Sequence, residues 1–344
     1  MDRGFSLPAS VLRFGRTNRS GKIAMNLIRL AFASMLLAQP AAAVTLGPYT
    51  DLVVFGDSLS DPGNAVLVAP GSVPAEVYPN GQLTNGDVWA VQLGTKPALI
   101  GGTNYAFGGA RATGEGASPG FETQRDQFLA SAPPLGDRPL VAVWLGGNDL
   151  RDAFGAVDPN DPSTAAAIPD TIAAAVGAIA TGLVELSGAG LKDFLVFGQV
   201  DLGRLPGIVG TPFEPAASAA SQAFNLALQA QVLALDGPSR RIDYFDVAAT
   251  FDDLISRSDE FGIETLTVPC LLDPGDVRPE TFCGVEQGDT FLFYDPVHPS
   301  EPPHSFLANA VAASVAPVPL PAGLWLLLAA LGSLGYLRHA ALRG

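Results

Sequence analysis

The sequence is poor in histidine and cysteine, the soft and borderline metal ligands, and in the basic side chains that bind nucleic acids. Histidine occurs three times in 344 residues and cysteine twice. Cys270 and Cys283 share one short stretch with no histidine and no further cysteine nearby, so a thiolate metal site lacks a ligand set there. Basic residues are scarce as well: 19 Lys and Arg stand against 34 Asp and Glu. Eight of the 19 sit at the ends, namely Arg3, Arg13, Arg16, Arg19, Lys22, Arg29, Arg338 and Arg343. Setting them aside with Asp2 leaves 19 − 8 = 11 basic against 34 − 1 = 33 acidic residues, a net of −22. Such a middle repels nucleic acid and anionic membrane surfaces. No internal repeat is visible.

What is abundant is apolar: 48% of the residues are hydrophobic, enough for one large core or two modest ones. The N-terminus reads as a secretion signal, residues 1–43. Arg29 precedes an apolar run from Leu30 to Ala38, and Ala41-Ala42-Ala43 supplies the small residues a signal peptidase needs. Met25 would start a signal of ordinary length, which leaves residues 1–24 as an over-extended start or a long basic lead. The C-terminus, 316–344, reads as a second address. An uncharged apolar run from about Leu320 to Leu337 is just long enough to span a bilayer. The arginines behind it favour the cytoplasmic side and put the middle of the chain outside. In an exported chain Cys270 and Cys283 can pair, closing a loop of about a dozen residues worth roughly 3 kcal/mol on the chain-entropy estimate.

Between these ends, buried strands alternate with helices. Leu52–Phe55, Leu140–Leu145 and Phe194–Phe197 are short apolar runs, as expected of parallel strands covered on both faces, and Ile242–Val247 is a weaker fourth. Pro169 opens a helix whose Ile172, Val176, Ile179, Leu183 and Leu186 share a face; residues 216–235 form another, and Pro302 opens a last one. Residues 66–86 and 111–137 read as loops, the second with a short helix near Thr123–Ala130. The prior is one α/β domain, residues 44–315, with a parallel sheet between helical layers.

Polar residues gather where strands end. Gly56-Asp57-Ser58 stops the first strand, and Gly146-Gly147-Asn148-Asp149 stops the second. The C-terminal rim of an open parallel sheet is where such folds place ligands. A serine hydroxyl needs a base to become a nucleophile, and outside the tail the only histidines are His298 and His304. Asp295, three residues before His298, can reach its Nδ1, and Pro296 and Pro299 stiffen that turn. Ser58 N–H, Gly109 N–H and the Asn148 amide are candidate donors to an oxyanion. His304 is read as a structural hydrogen-bonding residue. Turn and cap roles explain Asp57, Asp61 and Asp149 better than a metal cluster does.

In order, Gly-Asp-Ser-Leu at 56–59, Asn-Tyr-Ala-Phe-Gly-Gly-Ala at 104–110, Gly-Gly-Asn-Asp at 146–149 and Asp-Pro-Val-His-Pro at 295–299 resemble the GDSL lipases of the SGNH hydrolase superfamily, across nearly all of 51–315. The resemblance implies a flavodoxin-like three-layer α/β/α sandwich. It implies Ser58 as nucleophile, His298 as base, Asp295 as its orienting acid, and Ser58, Gly109 and Asn148 as the oxyanion hole, with Gly108 the alternative to Gly109, which its distance after Asn104 favours. No cofactor is implied. The substrate would be an ester or lipid, with acetyl groups on exopolysaccharide as the rival substrate and an inactive binding scaffold as the rival class. The C-terminal end resembles PEP-CTERM sorting tails, with Val318-Pro319-Leu320-Pro321 where that pattern carries Glu third. It implies processing by an exosortase-type enzyme after transient anchoring in the membrane, and a mature protein at the cell surface or outside the cell.

Overall fold

The computed structural model describes residues 46–317, except 115, 159–160, 276–277 and 279. The signal segment and nearly all of the sorting tail, with its membrane run, lie outside the described residues.

Four parallel strands form the sheet in the order of the chain: β1 (Asp51–Gly56), β2 (Pro139–Trp144), β3 (Asp193–Phe197) and β4 (Arg241–Phe245). Their C-terminal ends are level, with Gly56 opposite Trp144 and Phe197 opposite Phe245. β1–β3 are buried almost throughout, which explains their unbroken apolar runs; β4 alternates because its outer positions reach solvent.

The outer side of β1 is covered by Thr103–Phe107. Val54 N–H donates to the Thr103 carbonyl (3.0 Å), Tyr105 N–H to Val54 (2.8 Å) and Phe107 N–H to Gly56 (3.1 Å). This segment runs parallel to β1 through a single bridge at Asn104. The chain therefore leaves β1 toward one side and returns to lay β2 on the other. β1 sits at that reversal, where the loops diverge and open a crevice at the strand's end.

Helices cover the sheet as two groups. In one, α3 (Phe121–Ser131), α4 (Gly147–Gly155) and α6 (Glu214–Leu235) gather around α5 (Ala167–Gly188). In the other, α2 (Trp89–Gln92) and α7 (Val247–Ser256) pack on α8 (Glu301–Val315). The short α1 (Asn64–Val68) follows the β1 turn. The face of α5 that carries Ile172, Ile179, Leu183 and Leu186 is buried, so its alanine-rich length serves the core.

Several boundaries differ from the sequence reading. The fourth strand stops at Phe245, because Asp246 turns away to accept the Ala249 N–H and cap α7, a helix the weak alternation concealed. α4 begins inside Gly-Gly-Asn-Asp, and residues 66–68 are helical. α5 starts at Ala167, two residues before Pro169.

Candidate active site

Three buried side-chain amides set the ends of the strands. Gln124 on α3 accepts from Gly56 N–H (3.0 Å) and donates to Gly56 C=O (2.9 Å), which occupies the last backbone groups of β1. Gln199 donates to Leu145 C=O (2.8 Å), and Asn104 to Ser60 C=O (2.8 Å). Each partners a backbone group buried at a strand end or in the turn beyond it, and Gly56 C=O also accepts from Phe107. Gly56 has no room for a side chain: a Cβ there would lie 2.9 Å from Ser60 Cβ.

Ser58 follows in a tight turn in which Asp57 accepts the Leu59 N–H on its side chain and the Ser60 N–H on its carbonyl. Ser58 does not cap α1. That role belongs to Asp61, which receives the N–H groups of Gly63 (2.8 Å), Asn64 (2.6 Å) and Ala65 (3.3 Å). The Ser58 hydroxyl is left to its own partner, 2.8 Å away: Nε2 of His298. Nδ1 of His298 lies 2.7 Å from Oδ2 of Asp295. The Asp295 carboxylate accepts four bonds. Oδ1 takes the N–H groups of Val297 and His298, both at 2.8 Å, and Oδ2 takes His298 and the Tyr78 hydroxyl, the latter at 2.6 Å. Burial alone would raise its pKa; the facing imidazole, Tyr78 and the backbone donors outweigh that and hold it below the ordinary carboxylate value. A carboxylate kept ionised against Nδ1 makes Nδ1–H the donor and leaves Nε2 as an acceptor for the serine proton.

Ser58, Asn148 and His298 line one narrow cleft with Asp57, Gly147, Arg151 and Gln199. Its apolar wall is Leu59, Val200, Leu202, Leu205 and Val297. The Asn148 amide is fixed at both ends: Nδ2 donates to Ala110 C=O (2.9 Å), and Oδ1 accepts from the Arg151 guanidinium (3.0 Å). One N–H of that amide remains. Gly109 is not among the cleft-lining residues; it is exposed in a left-handed conformation (φ 79°), one residue before the carbonyl that holds Asn148. Its neighbour Gly108 gives its N–H to Asp61 (2.8 Å), whereas the Gly109 N–H has no acceptor among the described residues.

Asp149 accepts from the Ala112 N–H (2.8 Å) and from both the N–H and hydroxyl of Thr113, so it fastens the glycine turn to α4. Burial pushes the Asp57 and Asp61 carboxyls up to about 6, against their backbone donors and, for Asp57, the charges of His298 and Arg151. His304 is buried and its Nδ1 accepts the Trp89 N–H at 3.4 Å. Burial and nearby His298 hold its pKa down to about 3. Cys270 and Cys283 form a disulfide. Tyr78, Arg151 and Gln124 were absent from the sequence reading. Nothing local marks them, since each contact except that of Arg151 spans a long stretch of chain.

The family model of GDSL-like lipases and acylhydrolases matches residues 52–311. The chain belongs to that family. Among curated relatives, a Pseudomonas putida protein of the trpE–trpG intergenic region is 27% identical over 80% of this chain and 50% of its own length. The phosphatidylcholine-sterol acyltransferase of Aeromonas hydrophila is 28% identical over 67% of this chain and 68% of its own length. The chain thus spans half the length of the first of these relatives and about two thirds of the second. Among solved structures, a mutant of an acetyl-xylooligosaccharide esterase from a Geobacillus covers 80% of this chain and 98% of its own, at 14% identity and a TM-score of 0.42.

Proposed function

We propose that the chain is an exported serine esterase that hydrolyses carboxylic esters. The observation that carries this reading is the unbroken relay of 2.8 Å from Ser58 Oγ to His298 and 2.7 Å from His298 to Asp295, opening on a cleft with an apolar wall. Ser58 attacks the ester carbonyl as Nε2 of His298 takes its proton. The carbonyl oxygen becomes an oxyanion that accepts hydrogen bonds from the Ser58 N–H and the free N–H of Asn148 and, as the family resemblance implies, from the Gly109 N–H, which has no acceptor among the described residues. The tetrahedral intermediate collapses, the C–O bond to the alcohol breaks, and His298 returns the proton to the leaving alkoxide. Water repeats the sequence on the acyl-enzyme and frees Ser58 and the acid. Asp295 stays ionised throughout and offsets the charge of the imidazolium.

Leu59, Val200, Leu202, Leu205 and Val297 give the acyl part of an ester an apolar wall beside Ser58. Export rests on the signal-like N-terminus, and handling by signal peptidase and an exosortase-type enzyme rests on the two terminal segments. The experiment is a set of initial rates on p-nitrophenyl esters from acetate to laurate, beside Ser58→Ala. A serine-dependent optimum at medium or long chains is expected. An optimum at acetate replaces the lipase reading with carbohydrate deacetylation, and a folded protein with no serine-dependent turnover refutes the enzyme.

A further inference from the structure

We infer that Tyr78 is a positioning residue of the reaction, acting through Asp295; this rests on the serine esterase reading above. Tyr78 is 1% exposed and Asp295 2% exposed, and the two are 217 residues apart in the chain. The phenol donates to the same oxygen, Oδ2, that holds the imidazole. Burial and the neighbouring carboxylate raise the Tyr78 pKa, so the hydroxyl keeps its proton and remains a donor. With that bond the carboxylate has no free lone pair in the plane facing His298. It cannot rotate to offer Nδ1 a poorer angle, and the charge on Oδ2 is shared between two donors.

The phenol itself is held by a separate small apolar cluster: Val77, Tyr78, Cys270, Leu271 and Tyr294, with Cys283 packed against it. The Cys270–Cys283 bond closes this wall. Cys270 N–H donates to Phe293 C=O (3.1 Å), Leu271 N–H to Tyr294 C=O (2.7 Å), and the Tyr294 hydroxyl to Val77 C=O. The rings of Tyr78 and Tyr294 meet edge to face, 5.7 Å apart. One side of the disulfide-closed loop is therefore tied to the residues just before Asp295, and the other packs Phe282 edge to face on Tyr294, the ring that meets Tyr78. The main core lies elsewhere. The principal use of this second cluster is to set one phenol against one carboxylate.

The test compares full-length wild type and Tyr78→Phe on p-nitrophenyl butyrate across pH. Losing a hydrogen bond to a charged group lowers kcat by about tenfold or more with KM nearly constant. The acid limb of the kcat/KM profile moves to higher pH, because Oδ2 without the phenol carries more negative charge toward the imidazolium. Other titratable groups bear on that limb: Asp57, Arg151 and His304 around His298, Asp149 beside Asp57, and Tyr294 beside Asp295. None is changed by the substitution. Incorporating 3-fluorotyrosine at 78 keeps the ring and strengthens the donor, and it moves the limb the opposite way. Wild-type kcat and an unmoved acid limb in both variants overturn the inference, whatever happens to the melting temperature. Ser58→Ala and Asp295→Asn run in parallel separate the two levels. If they turn over at the wild-type rate, the esterase reading fails; if they are inactive while Tyr78→Phe is normal, only the role of Tyr78 fails.

Discussion

Replacing Asn148 with alanine tests the proposed oxyanion contribution of one side chain. In the folded protein one Nδ2 proton is engaged by Ala110 and Oδ1 by Arg151, so the second Nδ2 proton is the only group of that amide free for substrate. Removing a pre-aimed donor of this kind raises the barrier by about 2.7–4 kcal/mol, or roughly 100- to 1000-fold in kcat. KM changes little, because the ground-state carbonyl oxygen makes weaker use of the donor than the oxyanion does. The same change loses the bond to Ala110, which costs about 1 kcal/mol of stability and leaves the fold intact. Asn148→Asp is the sharper control. It has the same shape and attracts Arg151, but it offers the oxyanion a negative charge, so its rate falls at least as far. The assay is initial rates on p-nitrophenyl butyrate, with melting temperature to confirm folding. If Asn148→Ala keeps kcat within about threefold of wild type while Ser58→Ala is inactive, the amide is not an oxyanion donor.

Two further perturbations follow from the geometry around the cleft. Gly146→Ala places a Cβ 2.4 Å from the Phe224 ring at a φ of 113°, so strain and overpacking together destabilise by about 2–5 kcal/mol; a melting temperature equal to wild type would contradict this. His304→Gln tests acid sensitivity. The folded pKa of His304, about 3, lies below its unfolded value of 6.5, so the unfolded chain takes the proton first and stability is lost as pH falls from 6.5 toward 3. Asp57 and Asp61 work in the opposite sense, gaining protons in the folded state as pH falls through about 6, and are common to both proteins. Between pH 7.5 and 5, urea denaturation of wild type therefore loses on the order of 2 kcal/mol relative to His304→Gln; parallel curves would remove His304 from the account.

The strands were legible because both faces of a parallel sheet are covered, which leaves unbroken apolar runs at Leu52–Phe55 and Phe194–Phe197. The polar residues that stop them marked the site only as a set, since Asp, Ser and Asn each serve turns and caps as well; their order along the chain, closed by Asp295 and His298, pointed to the chemistry. Helix α7 was not legible. Its opening residue Asp246 belongs to a stretch whose apolar pattern reads equally as the end of a strand, and only its capping bond to Ala249 decides. The pairing of the short strand-like piece before Gly108 with β1 was hidden for a related reason: a single bridge leaves no periodicity to show its partner.

By itself, then, the sequence determined the alternation of strands and helices, the rim on which chemistry would sit, and the identity of Ser58, Asn148, Asp295 and His298 as its candidates. The strands and turns follow from local chemistry, hydrophobic runs and turn residues; the four candidates followed from the order of the motifs and their resemblance to the GDSL lipases. Tertiary structure alone decided what holds them. Ser58 meets His298 across 240 residues, Tyr78 meets Asp295 across 217, and Gln124 closes Gly56 across 68. A buried polar group must be satisfied by whatever the fold brings within 3 Å or so, and that neighbour is set by packing, not by adjacency in the chain.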